Sequence, residues 1–424
     1  MPVPERRTRL DLIVAVVAAV GVLAVSAALW WASDARHTVA VTAPGLAGQI
    51  PPNGQLPAAL EQAWQASSPA TPVPLVQDGI AVTGGGGVVT GRDLVSGGVR
   101  WSYQRNRPLC TVAAASRHPV AVYQRGGTCS EVTALAWADG RRGAQRTGPV
   151  EAPTRLAASG NRVVAGGRRY LEVWRSDLIR TLAYGRLPTP VKPGAQPRPD
   201  CTHGSMALGP AFEPGAAEPE GAAESGRTGR SRKRLAVIEQ CPGERVRLTV
   251  QRTDPHEADQ PEVDFSTLLG GTQARVVTLS VDRVAVALPD PARLVVLDMQ
   301  GKAVAEHPLA VPSSDLQGDP PGGLVELTVT PIQVYWFTGS ATVALDVVDL
   351  RPRWTRPGSL GPGTEAAGRL LVPVPGALAI LDPATGQQVG ALPVDRGGYR
   401  GPVGTASSGG VILEQRGDTL VALR

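Results

Sequence analysis

The sequence has little charge and few lysines for its length. Charged residues make up 19% of its 424 positions, and only three of its 42 basic residues are lysine, Lys192, Lys233 and Lys302. Low charge combined with 42% hydrophobic residues argues against a mostly disordered chain. The excess of arginine over lysine is typical of a GC-rich bacterial genome and says nothing about mechanism.

The net charge of +5 does not describe a basic surface. Five basic residues lie in one short run, namely Arg227, Arg230, Arg232, Lys233 and Arg234. Without that run the chain is close to neutral, so a broad phosphate-binding face is not expected. We therefore predict no nucleic-acid partner.

Motifs of the common enzyme classes are also missing. The chain has no Cys-x-x-Cys and no Gly-x-Ser-x-Gly, and the four-glycine run 84–87 is not followed by Lys-Ser/Thr, so it is interpreted as a turn. The histidines lack metal-ligand spacing. Ordinary surface or turn residues are expected at His37, His118, His203, His256 and His307. We predict no catalytic, cofactor-binding or metal-binding residue.

Glycine and proline are abundant instead. The chain contains 50 Gly and 39 Pro, about a fifth of all positions. Both residue types interrupt helices and favour turns, which argues against a helical bundle. From residue 72 onward, short aliphatic or β-branched runs alternate with Gly-rich turns, and this pattern is typical of antiparallel all-β folds.

One long apolar run lies near the N-terminus. Residues 12–32 contain no charge and no proline, and a helix of this length reaches about 31 Å, the thickness of a bilayer core. Arg6, Arg7 and Arg9 precede the run and favour a cytoplasmic N-terminus, residues 1–9.

The far end of this run suits a membrane interface. Trp30 and Trp31 are adjacent there, as in the aromatic belts of membrane proteins. We predict a transmembrane helix over residues 10–32, with everything after Ser33 outside the cytoplasm. The alternative is a signal peptide with its cleavage site at residues 25–27, and it exports the main domain as well.

Two segments lack the composition of a packed core. Residues 33–59 combine four prolines with several glycines and predict a tether that holds the folded part off the membrane. Residues 209–234 are acidic in their first half and basic in their second, and they predict a disordered insertion. The alternative for this insertion is a docking or proteolytic site. The folded domain is then 60–424.

An apolar strand that ends at Asp, a four-residue turn that ends in Gly, and a second strand recur along the chain. The clearest copies are residues 88–101 and 377–389. The Asp caps the turn through its side chain and the Gly adopts the positive φ that the turn needs. Weaker copies bring the total to eight anchors, mostly about 40 residues apart. The turn residues expected to shape the repeats are Asp93, Asp298, Asp346, Asp382 and Gly386.

A period of about 40 residues with several short strands per repeat predicts a β-propeller. Four tryptophans at recurring positions, Trp64, Trp101, Trp174 and Trp354, are expected to fill the wedges between its sheets. The count of anchors predicts eight blades, with seven as the alternative. Residues 60–66 are expected to pair with the C-terminal strand and close the ring, so that no sheet edge is left open.

The Leu-Asp-Pro-Ala-Thr-Gly turn at residues 381–386 resembles the blades of the PQQ-like (quinoprotein dehydrogenase-like) propeller family. The resemblance covers residues 60–424 and implies the propeller fold. It implies no activity, because many members carry these blades without a cofactor. A quinone-dependent member would be expected to stack its cofactor on a Trp and a vicinal disulfide beside a calcium site. This chain has no adjacent cysteines, so we predict no cofactor.

The four cysteines repeat the blade pattern. Cys110 and Cys201 each open a repeat, while Cys129 and Cys241 lie six and seven residues before the next aliphatic anchor. An even number of cysteines in an exported domain predicts disulfides. Of the three pairings that four cysteines allow, the repeat selects Cys110 with Cys129 and Cys201 with Cys241.

These observations predict a single-pass membrane protein that displays an extracytoplasmic propeller. We expect a non-catalytic binding or scaffolding module of the bacterial cell envelope, held in the membrane by residues 12–32 and binding a protein or envelope ligand. A PQQ-type quinoprotein oxidoreductase and a sensor domain for a membrane partner are the alternatives.

Overall fold

The structure, a computed structural model, describes residues 8–45, 48, 55–115, 118–212 and 233–424. The predicted cytoplasmic residues Arg6 and Arg7 lie outside the described residues. Helix α1, Arg9–Trp31, begins with a capping box in which the side chain of Thr8 accepts a hydrogen bond from the Asp11 backbone N–H. None of its residues is buried, and within the described parts of the chain it is the one helix long and apolar enough to cross a membrane. A signal sequence has the same properties.

Thirty-three strands follow α1 in the described residues. In chain order the first eighteen are β1 Val39–Val41, β2 Gln62–Ser67, β3 Leu75–Gln77, β4 Ile80–Gly85, β5 Val88–Asp93, β6 Val99–Gln104, β7 Leu109–Ala115, β8 His118–Arg125, β9 Thr128–Leu135, β10 Arg142–Thr147, β11 Arg155–Ser159, β12 Arg162–Gly166, β13 Tyr170–Arg175, β14 Arg180–Gly185, β15 Thr202–Gly209, β16 Arg234–Gln240, β17 Arg247–Arg252 and β18 Val263–Leu268. The other fifteen are β19 Arg275–Leu279, β20 Arg283–Leu288, β21 Arg293–Asp298, β22 Ala303–Pro308, β23 Leu327–Val329, β24 Gln333–Phe337, β25 Ala341–Asp346, β26 Pro352–Pro357, β27 Thr364–Ala366, β28 Arg369–Val374, β29 Ala377–Leu381, β30 Gln388–Pro393, β31 Val403–Ser408, β32 Val411–Arg416 and β33 Thr419–Leu423. Three 3-10 helices span Asp34–His37, Ser313–Leu316 and Pro321–Gly323.

The strands form eight antiparallel sheets, which confirms the eight-bladed propeller. Blades 1 to 7 begin at β3, β7, β11, β15, β19, β23 and β27, and each uses four consecutive strands. Blade 8 has the order β2-β33-β32-β31. All eight sequence anchors are third strands of blades, which explains why the count of anchors gave the count of blades.

The meander within each blade defines two faces of the disc. First strands of neighbouring blades contact one another around the axis, for example β7 with β11 and β15 with β19. Because consecutive strands alternate in direction, the second-to-third strand turns and the connections between blades share one face, which we call the connector face. The first-to-second and third-to-fourth strand turns share the other, the turn face.

The ring closes between the two ends of the domain. β2 pairs with β33, from Gln62 opposite Leu423 to Ser67 opposite Thr419. Glu61 and Arg424 extend the pairing by two backbone hydrogen bonds, each 2.9 Å long. The outer strand of the last blade therefore comes from the N-terminal side of the domain.

Part of the predicted tether is folded onto blade 1. β1 pairs with the outer strand β6, with Val39 opposite Gln104 and Val41 opposite Ser102. Within the segment 33–59 that the composition predicts to be a tether, Asp34–His37 form a 3-10 helix and Val39–Val41 form β1. β1 forms because Val39 and Val41, two β-branched residues, meet the outer edge of blade 1.

The hydrophobic core is divided among the interfaces between neighbouring blades. One cluster joins Val250 of blade 4 to Val284 of blade 5, and another joins Ala285 of blade 5 to Trp336 of blade 6. Each blade thus buries both of its surfaces against its neighbours, as stacked sheets do.

The insertion in blade 4 is narrower than predicted. Gly209 is the last residue of β15 and Arg234 is the first of β16, because both belong to the paired ladder of blade 4. Lys233 is buried and its Nζ donates to Asn161 Oδ1 at 2.8 Å. Residues 213–232 lie outside the described residues. β15 ends and β16 begins at the turn face.

Candidate functional site

A cleft of about 760 Å³ opens on the connector face above blades 2 to 4. Its walls are the second-to-third strand turns of blades 2 and 3, the start of β15, and the connection between blades 5 and 6. Its polar and thioether side chains include Glu151, Arg168, Arg169, His203, Met206 and Asp319. We call this site the connector-face cleft.

The connection between blades 5 and 6, residues 309–326, extends over the first strands of blades 3 and 4. Two glycines allow this close approach. A Cβ on Gly204 would lie 2.5 Å from Asp319 Oδ1. A Cβ on Gly322, whose φ is +66°, would lie 2.4 Å from Arg155 Cγ. The wall formed by the connection between blades 5 and 6 therefore needs glycine at positions 204 and 322, because any side chain there would prevent its close approach.

His203 is the buried titratable group of the cleft. Its side chain is 5% exposed, its ring stacks on Tyr184 with centroids 5.4 Å apart, and its Nδ1 lies 3.3 Å from the Gly167 carbonyl oxygen. Its Nε2 has no hydrogen-bond partner among the described residues. Burial lowers the pKa of His203 to about 4, opposed by the hydrogen bond with Gly167. The expectation of a surface or turn histidine is wrong here, because Thr202–Gly209 is an inner strand covered by a neighbouring connection.

The cleft presents charges of both signs. Arg168 and Arg169 are exposed on the turn of blade 3. Glu151 Oε2 accepts the backbone N–H groups of Arg169 at 2.7 Å and Tyr170 at 3.3 Å. Burial raises the pKa of Asp319, while Arg275 and Arg168 oppose that rise. Two arginines, two carboxylates and exposed backbone suit a polypeptide ligand better than a purely apolar one.

His203 predicts an acid-sensitive fold. The neutral ring is favoured in the folded state, so the unfolded chain binds the proton more tightly, and stability falls as the pH drops from about 6.5 to about 4. The loss from this group amounts to about 3 kcal/mol. We expect His203→Gln to remove the part of the pH dependence of the free energy of unfolding that comes from His203, as measured by urea unfolding from pH 7 to pH 4. His256→Gln, at an exposed position, should keep the parental slope, and an unchanged slope in His203→Gln would contradict the assignment.

Three of the four predicted tryptophans join neighbouring blades near the turn face. Trp64, Trp101 and Trp354 lie on fourth strands, and each indole N–H donates to a backbone carbonyl in the third-to-fourth strand turn of the next blade. The acceptors are Leu94 at 2.9 Å, Trp137 at 2.8 Å and Pro383 at 3.0 Å. In each case the ring lies against the turn glycine, which is Gly97, Gly140 or Gly386. We call this contact the aromatic dock.

The predicted aspartates build the turns that receive the docks. Asp93 Oδ1 accepts the backbone N–H groups of Val95 and Ser96, and Asp382 Oδ1 accepts those of Ala384 and Thr385, at 2.9–3.2 Å. Asp298 and Asp346 cap their turns in the same way. These side chains fix turn shape, and we assign them no ligand.

Trp174 does not occupy the same position as the other three. It lies on β13, the third strand of blade 3, and its indole N–H donates to Glu172 Oε2 at 2.6 Å within the same blade. The predicted equivalence is wrong because the tryptophan belongs to the anchor strand itself and not to the strand after the turn.

Other contacts replace the aromatic dock between several of the remaining pairs of neighbouring blades. Phe265 of blade 4 packs on Gly301 of blade 5 as a dock without an indole. Three other interfaces hold a fully buried carboxylate that a neighbouring segment pairs or hydrogen-bonds. These contacts are Arg146 with Glu172 at 2.6 Å, Tyr184 with Glu239 at 2.5 Å, and Arg396 with Glu414 at 2.7 Å. Only Glu172, which lies between Leu171 and Val173 in an anchor strand, had a signal of its burial in the sequence; Glu239 and Glu414 lie on second strands and are each followed by glutamine.

Both predicted cysteine pairs lie at bonding distance. The sulfur atoms of Cys110 and Cys129 are 2.11 Å apart, and those of Cys201 and Cys241 are 2.00 Å apart. Each pair joins strand ends at the connector face, one in blade 2 and one in blade 4. The two bonds therefore flank the cleft.

The residues of this chain do not fit the quinone cofactor that a quinone-dependent member of the PQQ-like family would hold. Neither disulfide is vicinal, and the docking tryptophans are committed to contacts between blades. Across residues 8–45, 48, 55–115, 118–212 and 233–424, no three His, Cys, Asp or Glu side chains group as metal ligands. We derive no reaction from such a group.

Fold and cleft define a class: an eight-bladed, disulfide-containing propeller with one apolar N-terminal helix and a mixed-charge cleft on one face. No family model and no curated protein matches the chain. Among solved structures it is similar to the computationally designed Ika8 protein, with 14% identity, a TM-score of 0.50 and coverage of 86% of this chain and 98% of that one. It is also similar to Sqt1 from Saccharomyces cerevisiae, with 10% identity, a TM-score of 0.50 and coverage of 85% and 96%. BamB from Moraxella catarrhalis matches with 14% identity, a TM-score of 0.49 and coverage of 86% and 99%. At 10–14% identity, the likeness to Ika8 and Sqt1 shows the fold alone.

Proposed function

We propose that the protein is a membrane-anchored, non-catalytic binding propeller of the cell envelope whose connector-face cleft holds a polypeptide segment. The observation that carries the proposal is the cleft itself, with about 760 Å³ of space between rigid blades. Propellers offer such rigid surfaces to partners, and function then depends on the site and not on the fold.

The lining of the cleft supports a polypeptide ligand. Arg168 and Arg169 can pair with acidic side chains, Glu151 and Asp319 with basic ones, and Met206 offers an adaptable apolar contact. Each flanking disulfide joins strands within its own blade, Cys110 with Cys129 in blade 2 and Cys201 with Cys241 in blade 4. Both bonds stiffen the strands beside the cleft, which lowers the entropy cost of binding.

The membrane assignment rests on α1. We propose that residues 10–32 span the membrane with the N-terminus in the cytoplasm, and that residues 60–424 form the exported propeller of the PQQ-like family. The length and composition of α1 and the disulfides support this placement.

Site-specific photocrosslinking in intact cells tests the cleft. We expect a photoreactive benzoylphenylalanine at Arg169 to give an adduct of discrete mass, because that side chain is exposed at the rim of the cleft. The same amino acid at Arg351, exposed on the turn face of blade 6, is the matched control. Adding Arg168→Glu should lower the adduct yield roughly fivefold, because it reverses one charge of the cleft.

Equal adduct yields from positions 169 and 351 would show that the partner does not bind in the cleft. An adduct yield at position 169 that Arg168→Glu leaves unchanged would show the same. Membrane retention after alkaline extraction checks the anchor separately, so that a failed cleft and a failed anchor give different results.

A further inference from the structure

The chain reaches the propeller at the connector face of blade 1. Only Ala32 and Ser33 separate the end of α1 from Asp34, whose Oδ2 accepts hydrogen bonds from Arg107 Nη2 at 2.6 Å and Nε at 3.0 Å. β1 then runs along the edge of blade 1 towards the turn face. Three residue steps span at most about 11 Å, so the rim around Arg107 lies near the end of α1.

This rim contains a second hollow, distinct from the connector-face cleft. It has a volume of about 580 Å³ and is lined by His37, Gly86, Gly87, Gln104, Arg105, Asn106, Arg107 and Pro108. We call it the rim hollow. The two glycines form the second-to-third strand turn of blade 1, so that wall is bare backbone. Two arginines and a histidine face the space without a carboxylate in the lining.

The charge around the rim hollow is positive. Arg105 and Arg107 line it, Arg125 joins them through Glu131, and Arg36 directly precedes the lining residue His37 in the chain. Asp34 and Glu131 are the carboxylates that pair with the first three of these arginines. Arg105 Nη2 lies 3.6 Å from Asp34 and 3.4 Å from Glu131, and Arg125 pairs with Glu131 at 2.9 Å. Four arginines against two carboxylates leave an excess of two positive charges. The side chain of Arg125 is 58% exposed.

The end of α1 has the residues of a membrane interface. The guanidinium of Arg36 lies 3.7 Å from the centroid of the Trp31 ring and 5.6 Å from that of Trp30. Tryptophan and arginine together are typical of the headgroup level of a bilayer. The rim hollow therefore lies where phosphate groups of lipids are available.

We propose that the rim hollow binds the phosphate headgroup of an anionic phospholipid in the membrane that holds α1. Arginine guanidinium groups bind phosphate by charge-assisted, bidentate hydrogen bonds. Bound lipid turns the connector face of blade 1 towards the bilayer and leaves the turn face pointing away. The inference rests on the proposed membrane anchor.

The test uses the full-length chain in lipid vesicles, with a fluorophore on Gly126→Cys and a quencher on the lipid headgroups. Gly126 lies on the rim beside Arg125, and a Cβ there would meet nothing within 4 Å, so Gly126→Cys adds the strain of a side chain at φ +57° but no steric clash. We expect quenching to rise roughly twofold when about 30 mol% phosphatidylglycerol replaces phosphatidylcholine, and to fall back at about 1 M NaCl. A label on Val348→Cys, 66% exposed on the turn face, should not respond.

Arg107→Gln should abolish the response to phosphatidylglycerol, and Arg107→Lys should restore part of it. Equal quenching in both lipids would overturn the headgroup site while leaving the anchor intact. The same increase on adding inorganic phosphate to phosphatidylcholine vesicles would also overturn it, since the ligand would then be free phosphate. Failure of the chain to float with vesicles of either lipid would overturn the anchor and the inference together.

Discussion

Removal of residues 60–66 is expected to abolish cooperative unfolding of the propeller. These residues contain most of β2, which supplies the fourth strand of blade 8 and carries Trp64, the dock onto blade 1. Their loss exposes the edge of β33 and opens the contact between blades 8 and 1. Since the free energy of unfolding of a domain is roughly 5–15 kcal/mol, the deletion is expected to remove most of the stability of the propeller. Calorimetry and chemical denaturation measure the effect.

Deletion of residues 39–41 is the matched control. It also removes a strand from a sheet edge, but β1 is a fifth strand on a blade that is already complete. We expect it to cost about 1 kcal/mol or less. A chain without residues 60–66 that melts like the parent would contradict closure through β2.

The second large effect is expected for Trp101→Ala. Trp101 is fully buried, its indole N–H donates to the Trp137 carbonyl oxygen at 2.8 Å, and its ring packs against Gly140 of the next blade. Truncation leaves a cavity between blades 1 and 2 and an unpaired buried carbonyl. We expect a loss of about 3–5 kcal/mol in the free energy of unfolding, measured by denaturation in guanidinium chloride.

Two variants separate packing from hydrogen bonding at the dock. Trp101→Phe keeps a ring but removes the N–H, so it should cost about 1–3 kcal/mol. Trp64→Ala truncates the same position in blade 8, where the ring is half-buried, and should cost less than Trp101→Ala. A cost below about 1 kcal/mol for Trp101→Ala would show that the docks do not hold the blades together.

The fold could be predicted because its signals are local and repeated. Asp93 and Asp382 mark turns that depend on a few neighbouring residues, and their recurrence gave the number of blades. The pairing of cysteines followed from the same repeat. Composition correctly placed one apolar helix before the domain, because a long uncharged run needs no tertiary context to be recognised.

The cleft could not be predicted because it is made by segments far apart in sequence. Asp319 reaches Gly204 only when blades 4, 5 and 6 are assembled, and nothing near His203 in the chain indicates its burial. The same limit applies to the buried carboxylates. Glu414 resembles a surface residue in sequence, and for Glu172 the sequence does not reveal the partner. The partners of Glu172 and Glu414, Arg146 and Arg396, belong to the preceding blade or its connection.

The strand β1 also has a mechanical consequence. If α1 is the membrane anchor proposed above, any pull on α1 passes through the Asp34–Arg107 ion pair and the β1–β6 ladder before it reaches β2. The pull acts along β1, so its hydrogen bonds share the load and do not peel apart one at a time. The closing strand β2 is thereby relieved of tension. Under the proposed function, a bound partner could pull on the propeller without separating β2 from β33.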